Sequence, residues 1–224
     1  MIDLELPGAR VRFTSRAGGV SPAPYASLNL GMFTDDDPAR VAENIDRSSD
    51  GRTVALVRQV HGTEIREVDA GGLLAGDADG LLTTKPNLAL LVTTADCLPV
   101  GLVAGEAVAM LHAGWRGLAD GILEAGVELI SALMPGARVH AAIGPGAGAC
   151  CYEVGSEVAG RFADSALSDR TLDLKSVASD KLRHAGVSTV TDVQRCTMCE
   201  PEIFFSHRRS GPLTGRQGGL IWRA

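Results

Sequence analysis

The sequence predicts an α/β or α+β fold built on mixed sheets, and three observations carry that prediction. Short β-rich runs alternate with segments of helical periodicity along most of the chain. Several neighbouring β-rich runs are separated by only a few turn residues, which makes them hairpin partners. The 224 residues are 45% hydrophobic and 21% charged, which is enough apolar material for a core and too little charge for disorder. No linker, low-complexity tract or internal repeat interrupts the chain, so residues 1–224 read as a single domain.

Taken in order, Ala9 to Thr14 alternates polar and apolar residues as a strand does, and Ala17 to Pro24 reads as a loop. Asp37 stands as N-cap with Pro38 at the first helical position, opening a helix through Asn44. Thr53 to Val60 is β-rich and stops at His61-Gly62. Gly76 to Gly80 is a turn cluster, and the β-rich stretch after it breaks at Lys85-Pro86-Asn87. Leu88 to Thr94 reads as a buried strand, Ala95-Asp96 interrupts it, and Leu98 to Val103 resumes. Ala107 to Leu111 returns after the turn residues Ala104-Gly105-Glu106. Leu118, Ile122 and Ile130 give Gly117 to Met134 the four-residue rhythm of one amphipathic helix, ended by Pro135-Gly136. Val139 to Ile143 is a further strand. Helices are expected over Ser156 to Ala166 and Val177 to His184, with strands near Leu172 and over Val187 to Val190.

Composition excludes whole classes of function. With 21 basic against 27 acidic residues, a formal charge of −6 and no basic block of five, the chain lacks the face that nucleic acid requires. The most apolar stretch, Leu88 to Val103, contains Asp96 and Pro99 and is too short to span a bilayer, so no membrane role is expected. The N-terminus does not read as a signal peptide, and an odd count of five cysteines suits reduced thiols, so a cytoplasmic setting is expected.

Three residues with metal-binding side chains fall where strands stop: His61, Cys97 and His112. If Ala104-Gly105 is the hairpin loop, Cys97 and His112 lie directly opposite each other; moving the loop to Gly105-Glu106 shifts the pairing by two and keeps both on one face. Directly opposed residues have Cβ atoms roughly 4.5–5.5 Å apart, close enough to share one ion. A His-Cys-His trio suits zinc and leaves a fourth position open, as catalytic sites do. The same residues allow a Cys–His hydrolase, with Cys97 as nucleophile, His112 as base and Asp96 or another acid orienting it. Asp96, beside Cys97, is also the nearest candidate for a catalytic acid.

Two glycine-rich segments follow strands. His112 to Gly117 leads into a helix and carries Arg116, which suits a phosphate or carboxylate. Gly144-Pro-Gly-Ala-Gly148 can present backbone amides to an oxyanion, making Gly144 and Gly146 substrate-binding candidates, although it matches no nucleotide fingerprint. Cys150-Cys151 and Cys196-Thr-Met-Cys199 form a second cysteine group. A CxxC with vicinal cysteines could make another zinc site or a redox pair, but zinc ribbons need two spaced CxxC knuckles and adjacent cysteines chelate poorly, so structural thiols are the expected reading.

Several strings together are specific: Arg58-Gln-Val-His-Gly-Thr63, Thr94-Ala-Asp-Cys-Leu-Pro99, His112-Ala-Gly-Trp-Arg-Gly117, Cys151-Tyr-Glu-Val154, Phe204-Phe-Ser-His-Arg-Arg209 and Thr214-Gly-Arg-Gln217. With Ser27-Leu-Asn-Leu-Gly31 they span roughly residues 9 to 223, and on them the chain resembles the laccase-domain family, also called the polyphenol oxidoreductase or peptidoglycan editing factor family. The resemblance implies a layered α/β/β/α sandwich with mixed sheets, as in the catalytic domain of cytotoxic necrotizing factor toxins. It implies zinc held by His61, Cys97 and His112, with copper possible in its place. It implies purine nucleoside and phosphate as partners: phosphorolysis of adenosine, inosine and methylthioadenosine, and deamination of adenosine. Peptidoglycan-precursor editing by a Cys–His amide hydrolase and copper-dependent polyphenol oxidation are alternatives the family also brings. The oxidase fits the residues less well, because five histidines with no His-x-His pair cannot build several copper centres. The chain departs from the family at Gly146, where a Cys is frequent, at Ile45, where an Arg is expected, and in a shorter segment between Asn44 and Arg58.

Overall fold

The computed structural model describes every residue except 163–165 and 169, and the backbone alone at Leu74 and Ala75. Two six-stranded mixed sheets form its centre. With elements numbered in chain order, the first sheet runs β1 (Ile2–Leu6), β2 (Ala9–Phe13), β14 (Gln217–Arg223), β7 (Leu88–Thr94), β3 (Thr53–Arg58), β5 (Gly72–Asp77). The second runs β13 (Thr189–Asp192), β10 (His140–Ile143), β8 (Leu98–Ala104), β9 (Ala107–Ala113), β6 (Gly80–Thr83), β4 (Ile65–Glu67). A ribbon of β11 (Leu167–Ser168) and β12 (Thr171–Leu172) lies apart from both.

Three apolar layers explain the stacking. Between the sheets, Val11, Phe13, Leu90 and Ile221 of the first meet Leu81, Val103, Val108 and Met110 of the second. On the outer face of the first sheet, helix α1 (Pro38–Ser49) sets Val41 and Ile45 against Leu91, Leu220 and Trp222. On the outer face of the second, α2 (Trp115–Asp120), α3 (Ile122–Leu133) and α5 (Leu174–His184) cover Leu98, Val100, Leu102, Ala109 and Leu111. The order is therefore helix, sheet, sheet, helices. Strands β8 and β9 are buried on both faces, which is why they read as unbroken apolar runs rather than alternations.

The differences from the sequence reading have local causes. The expected helix over Gly117–Met134 is two helices, because Gly121 sits at φ 98° between α2 and α3. Helix α1 continues past Asn44 to Ser49 and stops where Asp50 turns left-handed; the Asp37 cap is as expected, its side chain accepting from the Ala39 amide. Helix α5 begins at Leu174, because Asp173 caps the amides of Lys175 and Ser176. Helix α4 covers only Ser156–Ala159, and part of the expected Ser156–Ala166 helix lies outside the described residues. Gly76-Asp77 belongs to β5 rather than to a turn.

Strands β1 and β14 have no counterpart in the sequence reading, and β14 is central to its sheet. Its first residues, Gln217-Gly-Gly, look like loop, yet a Cβ at Gly219 would lie 2.5 Å from Pro99 of the facing sheet. The β8–β9 hairpin pairs Ala104 with Ala107 and Pro99 with His112, so its turn is Gly105-Glu106, the second of the two registers. No helix among the described residues is long and apolar enough to cross a membrane.

Candidate metal centre

The register of β8 and β9 decides which way the donors point. Leu98, Val100 and Leu102 face the helices, so Cys97 just before them and His112 near the end of β9 face the other sheet. His61 arrives from the end of β3, in a left-handed conformation with φ 64°. One ligand atom each from His61, Cys97 and His112 lies within 4.8 Å of the others, and the imidazole centroids are 4.8 Å apart. Gly114 makes the approach possible: a Cβ there would fall 2.9 Å from the Cys97 sulfur and 3.1 Å from the His61 ring.

Asp79 organises this trio. It is fully buried, and its Oδ1 accepts from His112 Nδ1 at 2.7 Å and from the His61 amide at 2.9 Å. Its Oδ2 accepts from the amides of Val60 and Gly62 at 3.1 and 2.7 Å. Burial by itself would raise this carboxyl, but the His112 hydrogen bond and charge, together with those amides, hold it below the usual range. With Nδ1 committed to Asp79, His112 is left Nε2 as its ligand atom, the carboxylate–histidine arrangement common to metal sites. In the sequence Asp79 is one of two acids in a turn cluster. Only the pairing of Gly80 with Leu111 brings it beside His112.

The thiol and imidazole also shift each other. Burial opposes a Cys97 thiolate, yet the His112 charge and hydrogen bonds from both histidines outweigh it and bring the thiol down to about 6. Burial likewise opposes the His112 cation, yet Cys97 and Asp79 push it up to about 9. A low thiol pKa and a carboxylate-held imidazole are what a thiolate metal ligand needs. The donor set and its supporting shell fit a single metal ion with an open side.

The open side is a cavity of about 390 Å³. Trp115, Tyr152 and the 61% exposed Phe33 give it aromatic walls, and Arg116, Arg208 and Arg216 surround it with positive charge. Arg116 stacks on Trp115 at 4.3 Å and Arg208 on Tyr152 at 4.9 Å. Arg208 also donates to the Glu153 carbonyl at 2.7 Å. The Thr94 hydroxyl is buried in the cavity wall with no hydrogen-bond partner among the described residues.

The other sequence candidates fare differently. Arg116 lines the cavity. Gly144 and Gly146 do not, and their amides are already bonded to the carbonyls of Pro99 and Arg195, so they offer no row of donors to an anion. Asp96 lines the cavity in a strained left-handed conformation, φ 104°. Its Oδ1 accepts from the Thr197 hydroxyl and its Oδ2 from the Arg208 amide, both at 2.7 Å. Its two oxygens thus tie together two loops, and the acid that bonds His112 is Asp79. Ile45 lies in the α1 core, away from the cavity. His140 and His184 join neither donor group found among the described residues and do not line the cavity, so they add no ligands to this centre.

Comparison with known proteins identifies the family. Residues 10–224 match the family described as multi-copper polyphenol oxidoreductase laccase. A Pseudomonas aeruginosa protein named purine nucleoside phosphorylase is 38% identical over 96% of this chain and 94% of its own length. Escherichia coli YfiH, also named purine nucleoside phosphorylase, is 37% identical over 93% of this chain and 91% of its own. A crystal structure from Neisseria meningitidis superposes with a TM-score of 0.88 at 35% identity, covering 99% of this chain and 98% of that one. The chain therefore belongs to the polyphenol oxidoreductase laccase family, the family that its motifs resemble.

Proposed function

We propose that this protein is a zinc-dependent purine nucleoside phosphorylase whose active site is the His61–Cys97–His112 pocket. The observation that carries the reading is one cavity joining an open three-donor centre, aromatic walls and three arginines. The names of the relatives supply the substrate class. When bound, the zinc ion supplies a fixed positive charge and Lewis acidity at the floor of the pocket.

The chain's own residues do the rest. Asp79 holds His112 in one tautomer, and through the amides of residues 60–62 it holds His61 in place. Arg116, Arg208 and Arg216 hold phosphate against the ribose. In phosphorolysis a phosphate oxygen bonds to C1′ as the C1′–N9 bond breaks, and the departing base takes up a proton. Phe33 and Trp115 offer faces on which a purine stacks. Tyr152, whose hydroxyl burial pushes up to about 12, stays protonated and can donate a hydrogen bond to the departing base at the cavity. The same pocket admits adenosine, inosine or methylthioadenosine; deamination of adenosine is a different attack, in which water adds at purine C6 and the C6–N6 bond breaks as the amino group takes up a proton and leaves as ammonia. The free thiols fit a reducing compartment, the cytoplasm.

A second reading rests on one observation: without metal, Cys97, His112 and Asp79 form a nucleophile, base and orienting acid suited to amide hydrolysis. A product assay separates the two. Purified, metal-analysed protein is given adenosine with and without phosphate, beside Cys97→Ala. Phosphate-dependent adenine release that disappears in the variant supports the phosphorylase. No purine turnover by zinc-loaded protein rejects it and leaves amide substrates to be tested.

A further inference from the structure

The second cysteine group is not a set of scattered thiols. The sulfurs of Cys150, Cys151, Cys196 and Cys199 lie within 4.8 Å of one another. Five of the six separations are 3.6 Å (Cys150–Cys151), 3.6 Å (Cys150–Cys196), 3.3 Å (Cys150–Cys199), 3.5 Å (Cys151–Cys196) and 3.6 Å (Cys151–Cys199). A tetrahedral zinc with four sulfurs at about 2.3 Å requires sulfur–sulfur edges of about 3.8 Å. Near-equal edges of that size describe a tetrahedron around a single ion. An iron–sulfur cluster spreads its ligand sulfurs around several irons and needs them farther apart.

We propose that Cys150, Cys151, Cys196 and Cys199 form a closed four-thiolate site for one zinc ion, separate from the pocket donors. The objection that adjacent cysteines chelate poorly holds for a strand, where neighbours point to opposite faces. Here the amides of Cys151 and Tyr152 both bond to the Gly148 carbonyl, at 3.1 and 3.0 Å, in a turn that brings both sulfurs to one side. The other two come from a CxxC knuckle, and the surroundings suit thiolates. The Gly148 amide donates to the Cys196 sulfur at 3.3 Å, and a Cβ on Gly148 would crowd Cys150 and Cys196 at 3.2 and 3.3 Å. Glu200 accepts from the Cys196 amide at 3.2 Å and pairs with Arg195, closing the knuckle from outside. Four thiolates around a divalent ion leave negative charge, and the buried Lys175, held by the Arg195 carbonyl at 2.6 Å, borders the same cleft as Cys150 and Cys196.

The site has a structural consequence for the pocket. Thr197, inside the knuckle, holds Asp96 through its hydroxyl, and the carbonyls of Thr197 and Met198 accept from Arg209 at 2.6 and 3.1 Å. An ion here ties the loop of residues 146–151 to the loop of residues 195–200, which together back the wall bearing Asp96 and Arg208. With four protein ligands and no open position, its role is structural.

The test uses the full chain with Cys97→Ala, which removes a pocket donor. After equilibration with Zn²⁺ and desalting, elemental analysis is expected to find about one zinc per chain, and zinc-edge X-ray absorption an all-sulfur shell at about 2.3 Å. Adding Cys196→Ser and Cys199→Ser is expected to remove that zinc. Should that variant not fold, Cys199→His is expected to keep the ion with one nitrogen in its shell. Retention of no zinc by Cys97→Ala, a shell rich in nitrogen or oxygen, iron in place of zinc, or disulfides among these cysteines by mass spectrometry would each overturn the proposal.

Discussion

The two donor groups of this protein are built on opposite plans. The pocket trio hangs from strand ends, has three donors, and depends on a buried carboxylate to aim one of them. The cysteine group hangs from two loops, has four donors, and draws its support from a backbone amide and a half-buried ion pair. Rigid strands with one donor too few leave a place for a substrate. Loops with a full set of donors leave none, and an ion there acts as a brace. The contrast teaches that donor count and supporting element, more than donor chemistry, separate a reactive centre from a staple.

Variants at each group sharpen this contrast, and the largest effect belongs to the pocket. Cys97→Ala should cost more than about a hundredfold in purine turnover, since even supporting residues of metal sites are worth 10–100-fold. Product chromatography checks it, and an unchanged rate would break the assignment of the pocket. Asp79→Asn should cost about 10–100-fold in pocket metal affinity, measured by chelator competition, because the amide cannot satisfy His112 and three backbone N–H groups together.

Smaller effects test the walls and the charges. Thr94→Val removes an unpaired hydroxyl, so stability should hold. A loss of about 0.5–1.5 kcal/mol in kcat/KM would mark a hydrogen bond to substrate. In metal-stripped protein, Cys97 should remain alkylatable down to about pH 6, well below an ordinary thiol, because His112 favours the thiolate. His112→Ala should return it to the ordinary range, as read by mass spectrometry across pH. The smallest effect is at the brace. Arg195 holds the Glu200 carboxyl below its usual range, so its stabilisation is present above the unfolded-state pKa and is lost as pH falls through the folded one. Glu200→Gln should therefore cost about 0.2–1 kcal/mol near neutral pH and nothing in acid, measured by denaturant titration.

Much of the pocket is legible in the sequence because strand parity carries information across a hairpin. Either turn placement puts Cys97 and His112 on one face, so the pair survives the ambiguity that the register later resolves. Asp79 is not legible, since its role depends on the β6–β9 pairing, and nothing local separates it from Asp77. Asp96 is half legible: its adjacency to a ligand is visible, but not the bonds of its two oxygens to Thr197 and Arg208, more than a hundred residues away. The glycine run at 144–148 is legible as a run, but not the bonds of its first and third amides to the carbonyls of Pro99 and Arg195. Strand β14 hides behind two glycines, of which Gly219 lets the sheets approach and Gly218 makes room for Leu30 and Leu91 on the α1 side. The second cysteine group is legible as residues but not as a cluster, because the Gly148 turn that gathers the adjacent pair is not visible in the sequence.

The central claim is that the pocket trio with its ion performs phosphorolysis. Its most direct test is the rate of pentose 1-phosphate formation from adenosine and phosphate, measured as zinc is returned to metal-stripped protein. Expected are no product at zero zinc, a rise that follows occupancy of the pocket, and no rise in Cys97→Ala. Full turnover in stripped protein, or none after loading, would contradict it.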